Sequence, residues 1–420
     1  MFLSLRNKIC ILLLFFLPSL ILSKDLHDYV INISADSTGY ILIVDKSEQK
    51  LYVVKSLSPD SLIQKRNFKI TTGRVLGNKE KEGDKKTPEG IYFIIGEIQG
   101  NKLQDKYGPL AFILDYPNTI DRIFGHTGSN IWIHGRNEKI VDRQTEGCIS
   151  LENSHILKLK PYVDIGNTPV LVMDTLNYSR VMTGSSWWHK RLQSWAESWE
   201  NGDTSCYFDF YSNLYKGKDH NDLNIFKSHK KHLEKLYTWK SIEVEDIAVL
   251  TTTYESFVKF KQTYICPQFY SVGIKTLNLI PNDTSWKIVH EEFKASEPRI
   301  YIDESLRQFV DSWKNEWEKR EIDSYINFYD SSFTNGDDSL LQWYEYKKNV
   351  FNSTSEIQVK VSDIVIKNPS KMEWIVSFTQ NYRSKNYSDT GKKSLLVRGD
   401  PRCYKILKEK WSLLLSNDKN

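Results

Sequence analysis

The stretch HGRNEKIVDRQTEGCIS, residues 134–150, places an imidazole and a thiol fourteen residues apart, with a glycine directly before the thiol. Those residue types permit nucleophilic acyl chemistry. A cysteine nucleophile needs a base to take its proton and donors for the oxyanion that its attack creates. Cys148 is the candidate nucleophile and His134 the candidate general base and acid. His134 closes a strand-like run, NIWIHG, so its ring would stand on rigid backbone. Gly147 permits close backbone approach, and the N–H groups of Gly147 and Cys148 are the candidate oxyanion donors. A third group should orient the imidazole, and the sequence does not name it. On spacing alone, a lone cysteine behind a glycine is more often a packing residue.

The elements that must hold this pair are short strands. GYILIVDKSEQKLYVVKS alternates on both sides of a polar turn and predicts a hairpin. RNFKITTG, GIYFIIGE, LAFILDY, NIWIHG and TPVLVMD are further strand candidates between Gly, Pro, Asn and Asp breakers. Only NSHILKLKPYV reads as a helix in this region, with Asn153 or Ser154 as N-cap. Residues 39–174 therefore read as one β-rich domain, a mixed sandwich or barrel.

The texture changes after Asp174. In the helical run SSWWHKRLQSWAESWENG, Leu192, Trp195 and Trp199 share a face, and strands follow: IEVEDIAVL, SFVKFKQTYI, GIKTLNLI, SWKIVHEE. The order then returns. Trp195, Trp199, Tyr207 and Tyr211 map onto Trp313, Trp317, Tyr325 and Tyr329 at an offset of 118, since 313 − 195 = 118. Phe260, Gln262, Tyr264, Gly273, Lys275 and Glu291 keep that offset to Phe378, Gln380, Tyr382, Gly391, Lys393 and Glu409, while Asp246 and Asp363 differ by 117. This is an internal duplication of whole domains. The helix-first, curved-sheet-second pattern resembles the nuclear transport factor 2-like cone, an α+β module with a curved antiparallel sheet. The cones are placed at 188–296 and 305–416, with linkers at 175–187 and 297–304. That family serves binding or dimerisation more often than catalysis. The paired tryptophans could line pockets, but spacing by four makes them helix-core residues first.

At 420 residues the chain is too long for one core. Its net charge of +4 comes without an arginine-rich stripe, so nucleic acid is not expected as a partner. The opening MFLSLRNKICILLLFFLPSLILSK has two cations and then a short apolar run broken by Pro18. It reads as a secretory signal over residues 1–23, with an uncleaved anchor as the alternative, and 24–38 as an N-terminal segment. After it no segment reaches the ~20 apolar residues of a span. The remaining cysteines, Cys148, Cys206, Cys266 and Cys403, lack metal-ligand spacing. A Cys206–Cys266 bridge is conceivable, but two free buried thiols are favoured.

The run GDKKTPEGIYFI, YGPLAFILDYPNTIDR, IWIHG and TEGCISLEN resembles the L,D-transpeptidase (YkuD) catalytic domain over about 135 residues. His134-Gly135, Thr145-Glu146-Gly147-Cys148 and the TPEG step Thr87–Gly90 carry the likeness. The resemblance implies that Cys148 is the nucleophile, that His134 is base and acid, and that Gly147 helps form the oxyanion hole. No metal or organic cofactor is implied. Two departures concern substrate: Glu146 stands where histidine is common before Gly-Cys, and Ser150 where Arg or Asn is common. Arg143, Arg136 and Arg122 are candidates to replace that residue in holding substrate carboxylate. Gly135, Thr145, Glu146, Ser150, His126 and Tyr107 complete the candidate substrate site, though loop packing explains His126 as well, and rim packing Tyr107.

The wording YPN…D…HTGSNIWIHG ahead of a cone is similar to the branch of periplasmic L,D-carboxypeptidases that trim peptidoglycan stem peptides and set cell shape. Those relatives usually carry one cone, and two here is a departure. The implied reaction is attack of Cys148 on the bond between the diamino acid and D-alanine, followed by release to water. The alternatives are release to an amine, as in a transpeptidase, and a non-catalytic wall-binding scaffold. Stem peptides are the expected partner, with a homodimer or wall proteins through the cones, and the periplasm is the expected location. A depressed thiol pKa beside a cationic imidazole would favour the chemistry.

Overall fold

The computed structural model describes residues 30–31, 39–58, 61–176, 185–218, 220, 222–283 and 285–414. The expected signal at 1–23 lies outside them. Among the described residues no helix is long and apolar enough to cross a membrane.

The chain divides into two units, one of residues 1–186 with 248–256, the other of 187–247 with 257–420. In the first, chain order runs β1 (Val30–Ile31), β2 (Tyr40–Asp45), β3 (Lys50–Ser58), β4 (Ser61–Lys69), β5 (Gly90–Gln99), β6 (Leu110–Leu114), α1 (Thr119–Ile123), β7 (Trp132–Arg136), β8 (Ile149–Glu152), α2 (Asn153–Leu159) and β9 (Pro169–Met173). The expected hairpin forms, with β2 antiparallel to β3 from Tyr40↔Lys55 to Asp45↔Lys50. Eight strands make one sheet in the order β4-β3-β2-β9-β5-β6-β7-β8. Its two ends come together where Thr71, just past β4, exchanges backbone hydrogen bonds with Ser150 of β8, each 2.9 Å. The sheet is thus nearly closed into a barrel, which removes most of its free edge. The apolar runs of β2 and β9 are buried on both faces, as strands without alternation must be. Leu42, Val44, Tyr92, Phe112, Ile133, Ile149, Ile156 and Val172 meet in the core.

Two details differ from expectation. Helix α2 begins a residue after Glu152, which caps it without a side-chain hydrogen bond, so neither Asn153 nor Ser154 is the cap. Helix α1 has no counterpart in the sequence pattern. It is only five residues long, and a reciprocal capping box between Asn118 and Asp121 holds it.

The duplication lies in the second unit, except that residues 248–256 of its first copy belong to the first unit. The first copy runs α3 (Ser185–Glu200), α4 (Thr204–Asp209), α5 (Leu223–Leu236), β10 (Ser241–Thr251), β11 (Ser256–Ile265), β12 (Phe269–Asn282) and β13 (Ser285–Ala295). After β14 (Ile300–Tyr301), the second copy runs α6 (Ile302–Lys319), α7 (Ile322–Ile326), β15 (Tyr329–Asn335), β16 (Asp338–Ser339), α8 (Leu340–Ser353), β17 (Ile357–Ser370), β18 (Glu373–Ser384), β19 (Ser388–Asp400) and β20 (Cys403–Leu413). The long strands lie in order within each copy, and the two copies share the predicted α+β pattern. Asp246 and Asp363 both sit at positive φ, 53° and 54°, so the duplication repeats even a backbone kink. Helices α5 and α8 are hard to read in the sequence because charged residues dilute their apolar stripes. Trp195 and Trp313 are fully buried core residues, as the spacing predicted. Cys206 and Cys266 are free thiols, but only Cys266 is buried; Cys206, in the first turn of α4, is exposed, which corrects the expectation that both are buried.

Candidate active site

Strands β7 and β8 run parallel, with His134 opposite Ser150. Cross-strand partners share a face and side chains alternate along a strand. Cys148 directly precedes Ile149, the first residue of β8, whose partner on β7 is Ile133, the residue before His134. The group that orients the imidazole is a backbone carbonyl: His134 Nδ1 lies 2.6 Å from Gly135 O. A carbonyl only accepts, so Nδ1 carries the proton and Nε2 holds the basic lone pair. The Tyr107 ring packs edge-on against the His134 ring at 5.0 Å and against Trp132 at 5.1 Å.

Cys148 is partly exposed, and its thiol donates to Asn130 O at 3.5 Å. Burial pushes the thiol pKa up, against the Trp132 backbone N–H and the more distant Lys106 and Lys79. Burial pushes His134 down to about 4, despite the Gly135 carbonyl. Both shifts favour the uncharged forms. Both directions run against the expected depressed thiol beside a cationic ring.

The turn before Cys148 is fixed by its own side chains. Thr145 Oγ1 donates to Cys148 O at 2.6 Å and accepts from Gly147 N–H at 3.2 Å. In this structure the Gly147 N–H is thus engaged by the Thr145 hydroxyl. Gly147 sits at φ +133°, and a Cβ there would meet Lys86 O at 2.9 Å. Thr87, from the TPEG step, donates to Gly147 O at 2.9 Å and accepts from Gly73 N–H at 2.8 Å.

The other candidates separate into near and far. Ser150 is 1 % exposed with its Oγ unpartnered among the described residues, so it does not present a surface to substrate. Gly135 is a packing glycine, since a Cβ there would meet Asn153 Oδ1 at 2.5 Å. Glu146 is exposed and pairs with Arg74 at 3.0 Å. Arg143 turns toward Lys46 O at 3.4 Å, and Arg136 pairs with Glu138 at 3.2 Å. Arg122 folds back onto Pro117 O of its own helix entry. His126 Nδ1 lies 3.0 Å from Asp121 Oδ1, the loop-packing role. Sequence reasoning missed Asn130, whose backbone carbonyl carries no side-chain signal. It also missed Lys106, whose ammonium lies 4.8 Å from the Tyr107 ring centre.

A second polar assembly lies inside each cone. In the first, Trp195 Nε1 donates to Tyr211 OH at 3.1 Å, Tyr211 OH donates to Glu291 at 2.7 Å, and Lys275 meets Glu291 at 2.6 Å. In the second, Trp313, Tyr329, Glu409 and Lys393 repeat it at 3.0, 3.0 and 2.7 Å. Burial raises Glu291, but Lys275 and Lys230 outweigh it and hold the carboxyl below its usual range; Lys393 and Lys347 do the same for Glu409. The first assembly opens onto a cavity of about 480 Å³ lined by Trp199, His229, Lys230, Gln262, Tyr264 and Arg299, among others.

Comparison with known proteins matches residues 39–172 to the L,D-transpeptidase catalytic domain, YkuD. Residues 188–292 and 305–410 each match the Cds6 C-terminal NTF2-like domain. YafK of Escherichia coli (strain K12), provisionally named as an L,D-transpeptidase, is 34% identical over 89 residues. That alignment spans 21% of this chain and 32% of YafK, about a third of that relative's length. Among solved structures, Bd1075 of Bdellovibrio bacteriovorus aligns with a TM-score of 0.57 at 29% identity, covering 64% of this chain and 98% of that one. The helical cell shape determining protein Pgp2 of Campylobacter jejuni, in a single-residue mutant form, aligns with a TM-score of 0.53 at 26% identity, covering 64% and 94%.

Proposed function

We propose, from the premise that this chain belongs to the L,D-transpeptidase (YkuD) catalytic-domain family in its N-terminal part and to the Cds6 C-terminal NTF2-like family in its C-terminal part, that it is a cysteine L,D-carboxypeptidase of peptidoglycan stem peptides. The observation that supports the reading is that β7, which carries His134, pairs with β8, which Cys148 directly precedes, while the Gly135 carbonyl fixes the His134 tautomer. Cys148 gives its proton to His134 Nε2 as sulfur bonds to the carbonyl carbon of the diamino-acid residue. The tetrahedral oxyanion collapses, the bond to D-alanine breaks, and the same proton leaves on the departing amine. Water then attacks the thioester, losing a proton to His134, and the thiol is regenerated. A neutral pair suits this cycle, because the imidazole starts as a base and the thiol as an acid. The likeness to a helical cell shape determining protein supports the trimming reaction, and export to the periplasm is part of the proposal.

The test is a digest of purified muropeptides with the native protein and with Cys148→Ala, read by mass. Loss of terminal D-alanine with the native protein alone supports the carboxypeptidase. New dimers joined between two diamino-acid residues select the transpeptidase instead. Identical digests leave a wall-binding scaffold.

A further inference from the structure

One buried carboxyl of the first unit takes no part in the chemistry above. Glu255 lies in the turn between β10 and β11, within residues 248–256, and is 3 % exposed. Its Oε1 accepts from the Ile91 N–H and, at 3.1 Å, from Asn118 Nδ2. A Cβ on Gly90 would meet Glu255 Oε1 at 2.5 Å, so the glycine of the TPEG step is what admits this carboxyl. Asn118 is the cap of α1: its Oδ1 accepts from Asp121 N–H, and its own N–H donates to Asp121 Oδ2, both at 2.9 Å. Asp121 then holds His126 twice, ring Nδ1 on Oδ1 at 3.0 Å and backbone N–H on the Asp121 carbonyl at 2.8 Å. From His126 the chain runs through Thr127, clamped by Glu80 O and Tyr116 OH, to Asn130, whose carbonyl faces the Cys148 thiol.

We infer that Glu255 is a positioning residue of the candidate active site: its carboxyl seats the Asn118–Asp121 cap and, through Asp121 and His126, fixes the segment 126–131 whose Asn130 carbonyl meets the thiol. The inference relies on the proposed function only for the identity of the reaction. The groups that face Glu255 are Asp121, Asp115 and the Tyr92 hydroxyl, all acidic. Burial raises its pKa to about 8, opposed by the Ile91 N–H and Asn118 and aided by the charges of Asp121 and Asp115. Its folded value lies above its unfolded one, so its contribution is complete below the ordinary glutamate range and is lost as pH rises through about 8. A second or third negative charge in this acidic nest pushes the cap apart.

The experiment compares wild type, Glu255→Gln and Glu255→Ala in the intact chain. D-alanine release gives kcat and KM from about pH 6 to about pH 9, and iodoacetamide labelling of the Cys148 peptide, followed by mass, gives thiol reactivity without substrate. Glu255→Gln keeps the Oε1 acceptor and cannot ionise. It should match wild type at low pH and lose the fall in kcat that wild type shows through about pH 8. Glu255→Ala should lower kcat about tenfold with little change in KM, and alter the Cys148 labelling rate about threefold. A folded Glu255→Ala with wild-type kcat and labelling overturns the inference, as does an unchanged alkaline fall in Glu255→Gln. If Glu255→Ala does not fold, the glutamine variant decides. If the wild type releases no D-alanine, the proposed function fails, and the labelling rates alone decide the role of Glu255.

Discussion

The candidate active site and the cones hold their titratable groups in opposite ways. His134 is withdrawn from water and Cys148 partly so, with opposite charges too weak to offset burial, and both shift toward neutrality. Lys275–Glu291 and Lys393–Glu409 are withdrawn as ion pairs, braced by tyrosine hydroxyls, and both carboxyls stay charged. Moving the thiol proton to the imidazole creates two opposite charges, and burial opposes that step until substrate is bound to take up the negative charge. A buried ion pair tolerates no loss of one partner, because removing either charge strands the other. The first arrangement suits turnover, the second a fixed architecture.

The sharpest break of this comparison is Cys148→Ala. D-alanine release should fall by about 10⁴-fold or more, while thermal unfolding barely moves, since one partly exposed thiol contributes little packing. The reverse pattern is expected for Glu409→Gln. Stranding Lys393 should destabilise the cones by about 3–5 kcal/mol, read by urea unfolding, with kcat unchanged. Tryptophan fluorescence isolates that transition, because Trp132 is the only tryptophan before residue 186.

The pH profile sharpens the contrast at smaller scale. His134 has a folded pKa of about 4, below its ordinary 6.5. The acid limb of kcat/KM should therefore sit near 4. The stability tied to the neutral ring is complete above 6.5 and is lost as pH falls toward 4. An acid limb at 6.5 would show that the ring is hydrated in solution. The smallest effect belongs to Tyr107→Leu, which removes the edge contact on His134. It should cost about 0.5–1.5 kcal/mol in transition-state stabilisation, seen as a fall in kcat without loss of the fold.

How much of this was legible depended on sequence distance. His134 and Cys148 stood out because both lie in one short stretch with a glycine where the backbone turns. The duplicated cones were legible because Trp, Tyr, Lys and Glu recur at one offset. Their hydrogen-bonded chains were not, since no periodicity says that Tyr211 and Glu291 meet across a sheet. Charge alone marked the arginines as candidates, and nothing in the sequence signalled that Arg122, Arg136 and Arg143 each find a partner within the protein. Glu255 and Asn118 lie 137 residues apart, and only the folded chain reveals that one seats the other.

The two cones also grip each other within their unit. Arg402 makes a two-pronged contact with Glu243 at 2.7 and 2.9 Å, Trp239 donates to Asn368 at 2.6 Å, and the rings of Trp239 and Trp374 lie 5.9 Å apart. Because a covalent linker joins these halves, their association is unimolecular, and dilution cannot part them. A pairing that separate chains would form only above some threshold concentration is here present in every molecule, however scarce the protein.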